Sequence, residues 1–307
     1  MANRKKAGRA AASVYVFGAG KVGAGLSRAL RAAGCVVTLR PQRKGLPRSR
    51  IDADVIIVAL RDRDLAPCAE ELVRRGLIGH ARLAVLHCAG ALGPEVLAAA
   101  RGPNVAVAQM HPMISFASKT FTPSLARGQL HVDGDPAAVR AARRLGRLLG
   151  MTPRTIAGLD RVAYHAGAGL VANGAAALAA GGVELLLKAG VPRDTAAAML
   201  GPLLRSVAEN VERLGLPDAL TGPVRRGDAV GLGKHLETLG RLAPELVPFY
   251  VAAARTQIPL ARALGDAPAA SFDAIEEALA GSWERAESPT EKTQRRKADA
   301  RTQKGSD

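Results

Sequence analysis

Aromatic side chains are scarce, at 3% of 307 residues. Single-strand nucleic-acid binders stack bases on aromatic platforms, so the scarcity argues against that class. Cysteine is scarcer: Cys35, Cys68 and Cys88 are odd in number and lack metal-ligand spacing, which argues against a disulfide framework and against a bound metal. No uninterrupted run of eighteen apolar residues occurs, because the Ala-rich stretch 166–180 is broken by Gly167, Gly169, Asn173 and Gly174. That stretch is read as a buried helix. Arg4, Lys5, Lys6 and Arg9 have no apolar segment behind them of the kind a secretory signal carries. The expectation is a cytoplasmic protein without a membrane partner.

Acid is also in deficit, with 27 Asp+Glu against 43 Lys+Arg and a formal net charge of +16. Such a balance raises the question of a polyanionic partner. The basic residues gather in the N-terminal tail, in 40–50 and after Trp283, so nucleic acid is set aside and the tails are read as solvated. Segment 284–307 has too little apolar surface to offset ordering entropy, and it is expected to be disordered, as is the basic tail 1–12.

What is present is a 48% hydrophobic chain long enough for two cores. From Ser13, short apolar runs alternate with helical segments, the pattern of a parallel sheet covered by helices. Strands are expected at 13–17, 36–39, 54–60, 83–88 and 105–110, with an edge strand at 129–132. Helices are expected at 21–33 and 136–149. After Gly158 only helical patterns continue: about 160–189, 193–214, 228–241, 244–264 and 272–280. The fold class is α/β: an N-terminal Rossmann doubly wound parallel sheet over 13–158, then a C-terminal all-α domain over 159–283.

The sharpest motif is Gly18-Ala19-Gly20-Lys21-Val22-Gly23, which follows a strand and opens a helix. In that context G-x-G-x-x-G is a dinucleotide fingerprint. Gly18 permits the tight turn, Gly20 a close approach of the backbone to a pyrophosphate, and Gly23 close packing of helix on strand. The strand ends Leu60 and Cys88-Ala89 are expected to line the same cofactor. An NAD site commonly offers an acid at the end of the second strand, whereas here Arg40, Arg43 and Lys44 stand there. These can pair with a 2′-phosphate, so NADP(H) is the expected cofactor, the alternative being a solvated basic loop.

The stretches His87-Cys88-Ala89-Gly90-Ala91, Val107 to Phe116 with its Met110-His111-Pro112, and Leu220-Thr221-Gly222-Pro223 through Asp228 carry a resemblance. Over about Ser13 to Ala280 the chain resembles a family with a Rossmann-like domain and a helical domain of unknown function (DUF2520). That family is related by fold to 6-phosphogluconate dehydrogenase, ketopantoate reductase, pyrroline-5-carboxylate reductase and prephenate dehydrogenase. The resemblance implies an NADP-dependent oxidoreductase acting on a small carboxylate-bearing C=O compound, a 2-oxo acid of the ketopantoate type. A pyrroline-carboxylate-like imine reductase or a prephenate-dehydrogenase-like enzyme is the alternative, and a non-catalytic NADP(H) sensor or scaffold is a reading of another class.

His165, Gly169 and Asn173 are spaced four apart on one helix face amid small and apolar residues. In the related hydroxyacid dehydrogenases a Lys and an Asn four apart occupy such a helix; Asn173 matches the Asn, but Gly169 stands where the Lys would be. His165 is the expected proton donor in its place. The alternative is a His and an Asn satisfied within a helix interface. His111 and Ser115, at the end of a parallel strand, and Thr221, Arg226, Asp228 and His235 are candidate substrate-binding residues, with helix capping as the other role for Asp228. Helices Ala-rich on nearly every face also imply a homodimer.

Overall fold

The computed structural model describes residues 12–287, so of the tails expected at 1–12 and 284–307, residues 1–11 and 288–307 lie outside the described residues. The first unit begins with β1 (Ser13–Phe17), α1 (Lys21–Ala32), β2 (Val36–Arg40), β3 (Val55–Val58), α2 (Leu65–Arg74), β4 (Leu83–His87) and β5 (Val105–Pro112). It continues through β6 (Gln129–Gly134), α3 (Pro136–Leu148) and β7 (Thr152–Arg154). The seven strands form one sheet in the order β2-β1-β3-β4-β5-β6-β7. β1 to β5 are parallel, β6 runs antiparallel to β5, and β7 is parallel to β6.

β6 is therefore an interior strand, not the edge strand its sequence suggested. The edge is β7, three residues centred on Pro153. So short a run carries no readable periodicity, and a proline that cannot donate to a ladder belongs at an edge.

Strands covered on both faces read as continuous apolar runs, and all of β3 and β4 is buried. On one face Val14, Val16, Val55, Ile57 and Leu86 meet Leu26 and Leu30 of α1 and Ala138, Ala142 and Leu145 of α3. On the other, Tyr15, Phe17, Ile56, Val58 and Val85 meet Leu65, Cys68, Ala69 and Leu72 of α2 and Leu97 of a 3-10 turn over Pro94–Ala100. Each fully buried Leu or Ile contributes about 1.5–3 kcal/mol relative to exposure. The order β2-β1-β3 puts a topological switch point between β1 and β3, where open α/β sheets bind ligands.

Among the described residues five α-helices follow: α4 (Arg161–Lys188), α5 (Arg193–Leu214), α6 (Ala229–Leu242), α7 (Val247–Leu264) and α8 (Ala269–Glu287). Leu232, Leu236 and Leu239 of α6, Val251, Ala254 and Ile258 of α7, and Phe272, Ile275 and Leu279 of α8 form one core, at spacings that keep each set on one helix face. α8 runs past the expected end at Ala280 into the segment expected to be disordered, because Glu284, Arg285 and Ala286 are good helix formers. The chain divides into two compact units between Ala172 and Asn173, inside α4.

The Ala-rich helix departs most from expectation. α4 contains no buried residue, with Leu170 77% and Val171 72% exposed. By length and composition it could cross a membrane. An alanine and glycine surface reads as burial in a sequence, yet among the described residues α4 is covered only in part, as where Leu185 packs on the helical core.

Candidate functional site

A cavity of about 890 Å³ opens at the C-terminal ends of β1, β3, β4 and β5. A larger one, about 1180 Å³, lies at the opposite end of the sheet beside α3, rimmed by Arg82, Arg140, Arg143, Arg144 and Arg147. Ligands of open α/β sheets bind at the carboxyl ends of strands, and the smaller cavity also holds the glycine motif, so it is the candidate site.

The floor is built by the turn after β1. Gly18 has φ +112°, and a Cβ there would stand 2.2 Å from the Ala59 carbonyl oxygen. A Cβ on Gly23 would stand 1.9 Å from the Gly18 carbonyl oxygen, so these two glycines are demanded by the protein itself. Gly20 differs: its φ is −72° and a Cβ would meet nothing within 4 Å. Its bare backbone lies at the N-terminus of α1, a position that favours anions. Gly18, Ala19, Gly20, Lys21 and Val22 line the cavity, as do Leu60, Cys88 and Ala89. Burial pushes the Cys88 thiol up to about 12, so it stays protonated and inert as a nucleophile.

The basic loop separates into distinct roles. Arg40 donates from Nε to the Gly45 carbonyl at 2.6 Å and from Nη2 to the Lys44 carbonyl at 2.9 Å, and it lies outside the cavity lining. Arg40 therefore fixes the loop, and Arg43 is the cation that the loop presents to the cavity. Lys44 is exposed and outside the lining. Arg61 and Asp62, which sequence reasoning did not single out, also line the cavity, as does Lys119, which lies close in sequence to His111 and Ser115.

At the other end the wall is histidine. His111 of β5 is 9% exposed, and its ring meets that of His165 edge-on, with centroids 5.7 Å apart. Its Nδ1 is 3.0 Å from the Tyr164 hydroxyl. A Cβ on Gly90 would stand 2.3 Å from His165 Nδ1 and 2.8 Å from His111 Nε2, so only glycine lets both rings converge there. Burial, with the neighbouring histidines His165, His131 and His87, holds the His111 pKa down at about 4. Fully buried His87 is neutral for the same reason, at about 4. It pairs with the Gly93 carbonyl at 3.0 Å and accepts from the Ala89 N–H at 3.2 Å, fixing the turn that carries Gly90. No group of three or more His, Cys, Asp and Glu suited to a metal ion occurs among the described residues.

The start of α4 is anchored to this wall. Asp160 Oδ1 accepts from the N–H groups of Val162 and Ala163, each at 3.0 Å, the side-chain cap of a helix N-terminus. Arg161 pairs with Asp133 of β6 and reaches Gln109 Oε1 at 3.4 Å, while Gln109 Nε2 donates to the Ala89 carbonyl at 2.7 Å. These contacts set the azimuth of Tyr164 and His165. Tyr164, Gly90 and Gln109 were missed as site residues, although a tyrosine beside His165 in a chain so poor in aromatics was a usable signal.

The other expected residues are placed elsewhere. Asn173 is exposed and outside the cavity lining, so the expected buried polar face of α4 is not formed. Ser115 is exposed and also outside the lining. Thr221, Arg226, Asp228 and His235 belong to the second unit. Asp228 caps α6 by accepting from the Gly231 N–H at 2.7 Å, and His235 Nδ1 pairs with the Tyr250 hydroxyl at 2.9 Å. Arg226 is exposed, while its neighbour Arg225 pairs with Asp266 at 2.7 Å.

Residues 129–257, from β6 into α7, match a family model described as a domain of unknown function (DUF2520). No curated protein matches the chain. Among solved structures the chain is similar to a proposed NADP oxidoreductase from Bacteroides fragilis, at 22% identity and TM-score 0.61 over 81% of this chain and 98% of that one. It is similar to a protein from Thermotoga maritima at 18% identity and TM-score 0.59, over 81% and 98%. It is also similar to a pyrroline carboxylate reductase from Plasmodium falciparum with NADP bound, at 14% identity and TM-score 0.53 over 88% and 97%. These likenesses establish the fold: a Rossmann-like α/β unit with a helical C-terminal unit.

Proposed function

We propose that the chain is an NADP(H)-dependent oxidoreductase that reduces a small carbonyl compound bearing a carboxylate, of the 2-oxo acid kind. The observation that carries this reading is the continuity of the cavity, which runs from the bare Gly20 backbone and Arg43 to His111 and His165. The first end fits a dinucleotide: Gly20 leaves room for a pyrophosphate at the helix N-terminus, and Arg43 suits a 2′-phosphate. The second end fits proton chemistry at a polar double bond. Lys119, with Ile114 and Phe116, offers a cation and an apolar wall for a small carboxylate. A cyclic imine is the second reading, favoured by the likeness to the Plasmodium falciparum reductase.

When bound, NADPH supplies a hydride to the carbon of the double bond. The chain must add one proton to the oxygen or nitrogen, and His165 at the cavity wall is the donor in this reading. His165→Ala is expected to lower turnover by roughly 10² to 10⁴ while leaving NADPH affinity unchanged, because general-acid help is of that size and acts in the transition state. Stopped-flow turnover over a panel of oxo acids and cyclic imines, beside cofactor titration, checks this; unaltered turnover in folded His165→Ala protein removes His165 from the mechanism.

The reading includes a homodimer. Met199, Leu203, Val207 and Val211 recur every fourth residue on α5 and are all exposed, an apolar stripe of the kind a second copy covers.

A further inference from the structure

We infer that Tyr164 is a positioning residue whose hydroxyl holds His111 as its Nε2–H tautomer, making His111 a neutral hydrogen-bond donor to the substrate's oxygen or nitrogen in the cavity. The inference rests on the reductase reading of that cavity.

The Tyr164 hydroxyl lies 3.0 Å from His111 Nδ1, and among the described residues no other hydrogen-bond partner of that hydroxyl is found. A phenol has one proton to give, and an unprotonated imidazole nitrogen accepts it well. The proton of the neutral ring is then on Nε2. That nitrogen has no hydrogen-bond partner among the described residues, and it faces the edge of Gly90, where a Cβ would stand 2.8 Å away. His111 and Gly90 both line the cavity, so the N–H is offered to a ligand there.

Charged and titratable groups around the ring come from several elements. His165 faces it from α4, His131 from the paired position on β6, and His87 from β4. The Asp133–Arg161 pair stands behind His131. Burial keeps His111 uncharged near neutrality, so its donor carries no competing positive charge. His131 is 3% exposed, neither ring nitrogen has a hydrogen-bond partner among the described residues, and its ring centroid is 5.6 Å from that of Tyr164. It acts as a wall against the phenol. A fixed donor aimed at developing negative charge needs no reorganisation during reaction, which is how such donors accelerate it. His165 then supplies the proton and His111 the hydrogen bond, two roles for two rings that Gly90 allows to converge.

The test is ¹⁵N NMR of the full chain labelled in its imidazole rings, with His111→Gln to assign the signal. The wild type is expected to show His111 protonated at Nε2 and bare at Nδ1 at pH 7. Tyr164→Phe, which conserves shape, should move that signal towards a mixture of tautomers and lower kcat about tenfold, with NADPH affinity unchanged. A wild-type His111 protonated at Nδ1, or a tautomer indifferent to Tyr164→Phe, overturns the inference. A wild-type His111 protonated at Nδ1 overturns the inference even if the variant does not fold. Because the spectrum needs neither cofactor nor substrate, a locked tautomer in a chain that fails to bind NADPH would instead dismiss the reductase reading.

Discussion

Gly18 and Gly20 stand two residues apart, and a side chain at each would act differently. At Gly18 a Cβ collides with the Ala59 carbonyl and the backbone has φ +112°, so Gly18→Ala should cost about 1–3 kcal/mol of stability. At Gly20 the backbone is extended and the space is open. Gly20→Ala should therefore leave the melting temperature unchanged and yet weaken NADPH binding at least tenfold, which is about 1.4 kcal/mol. Thermal unfolding and cofactor titration of the two variants side by side check this, and a Gly20→Ala chain that binds NADPH normally would count against a pyrophosphate at that turn. The glycine spacing was legible in the sequence because chain geometry alone dictates it. The division of labour between Arg40 and Arg43 was not, because a guanidinium that turns back onto carbonyls at 44 and 45 looks, in sequence, like one facing a phosphate. The pairing of Tyr164 with His111 was hidden for a related reason: the two lie 53 residues apart.

Among elements, the first βαβ unit was legible nearly to the residue, since β1, α1 and β2 each carry an apolar pattern closed by a glycine or a polar turn. α5 also runs over the residues its sequence indicated. β7 was not legible, and its presence moves β6 inward. α4 misled through composition: alanine and glycine suit burial, yet none of its residues is buried. The exposed stripe on α5 and the exposed α4 lead to the same expectation, a homodimer through the helical unit. Light scattering at micromolar concentration should give twice the chain mass. Val207→Asp with Leu203→Asp, placing charge on the stripe, should return it to one, and a wild-type monomer would leave the stripe unexplained.

At the scale of the whole molecule, the net charge of +16 first raised the question of a polyanionic partner. The structure gives part of that charge local duties: Arg40 ties its loop, Arg161 anchors α4 on Asp133, and Arg225 holds Asp266. The fold was legible as two units because sheet and helix periodicities change along the chain, while the substrate was not, because His111, Gly90, His165 and Lys119 converge only after the sheet forms. The central claim is that the cavity of the α/β unit holds NADP(H). Titration of the full chain with NADPH and with NADH, followed by nicotinamide fluorescence, tests it most directly. The account predicts saturable binding with NADPH at least tenfold tighter than NADH, and a loss of that preference in Arg43→Ala; no NADPH binding would contradict it outright, and equal affinity for the two would contradict its assignment of Arg43.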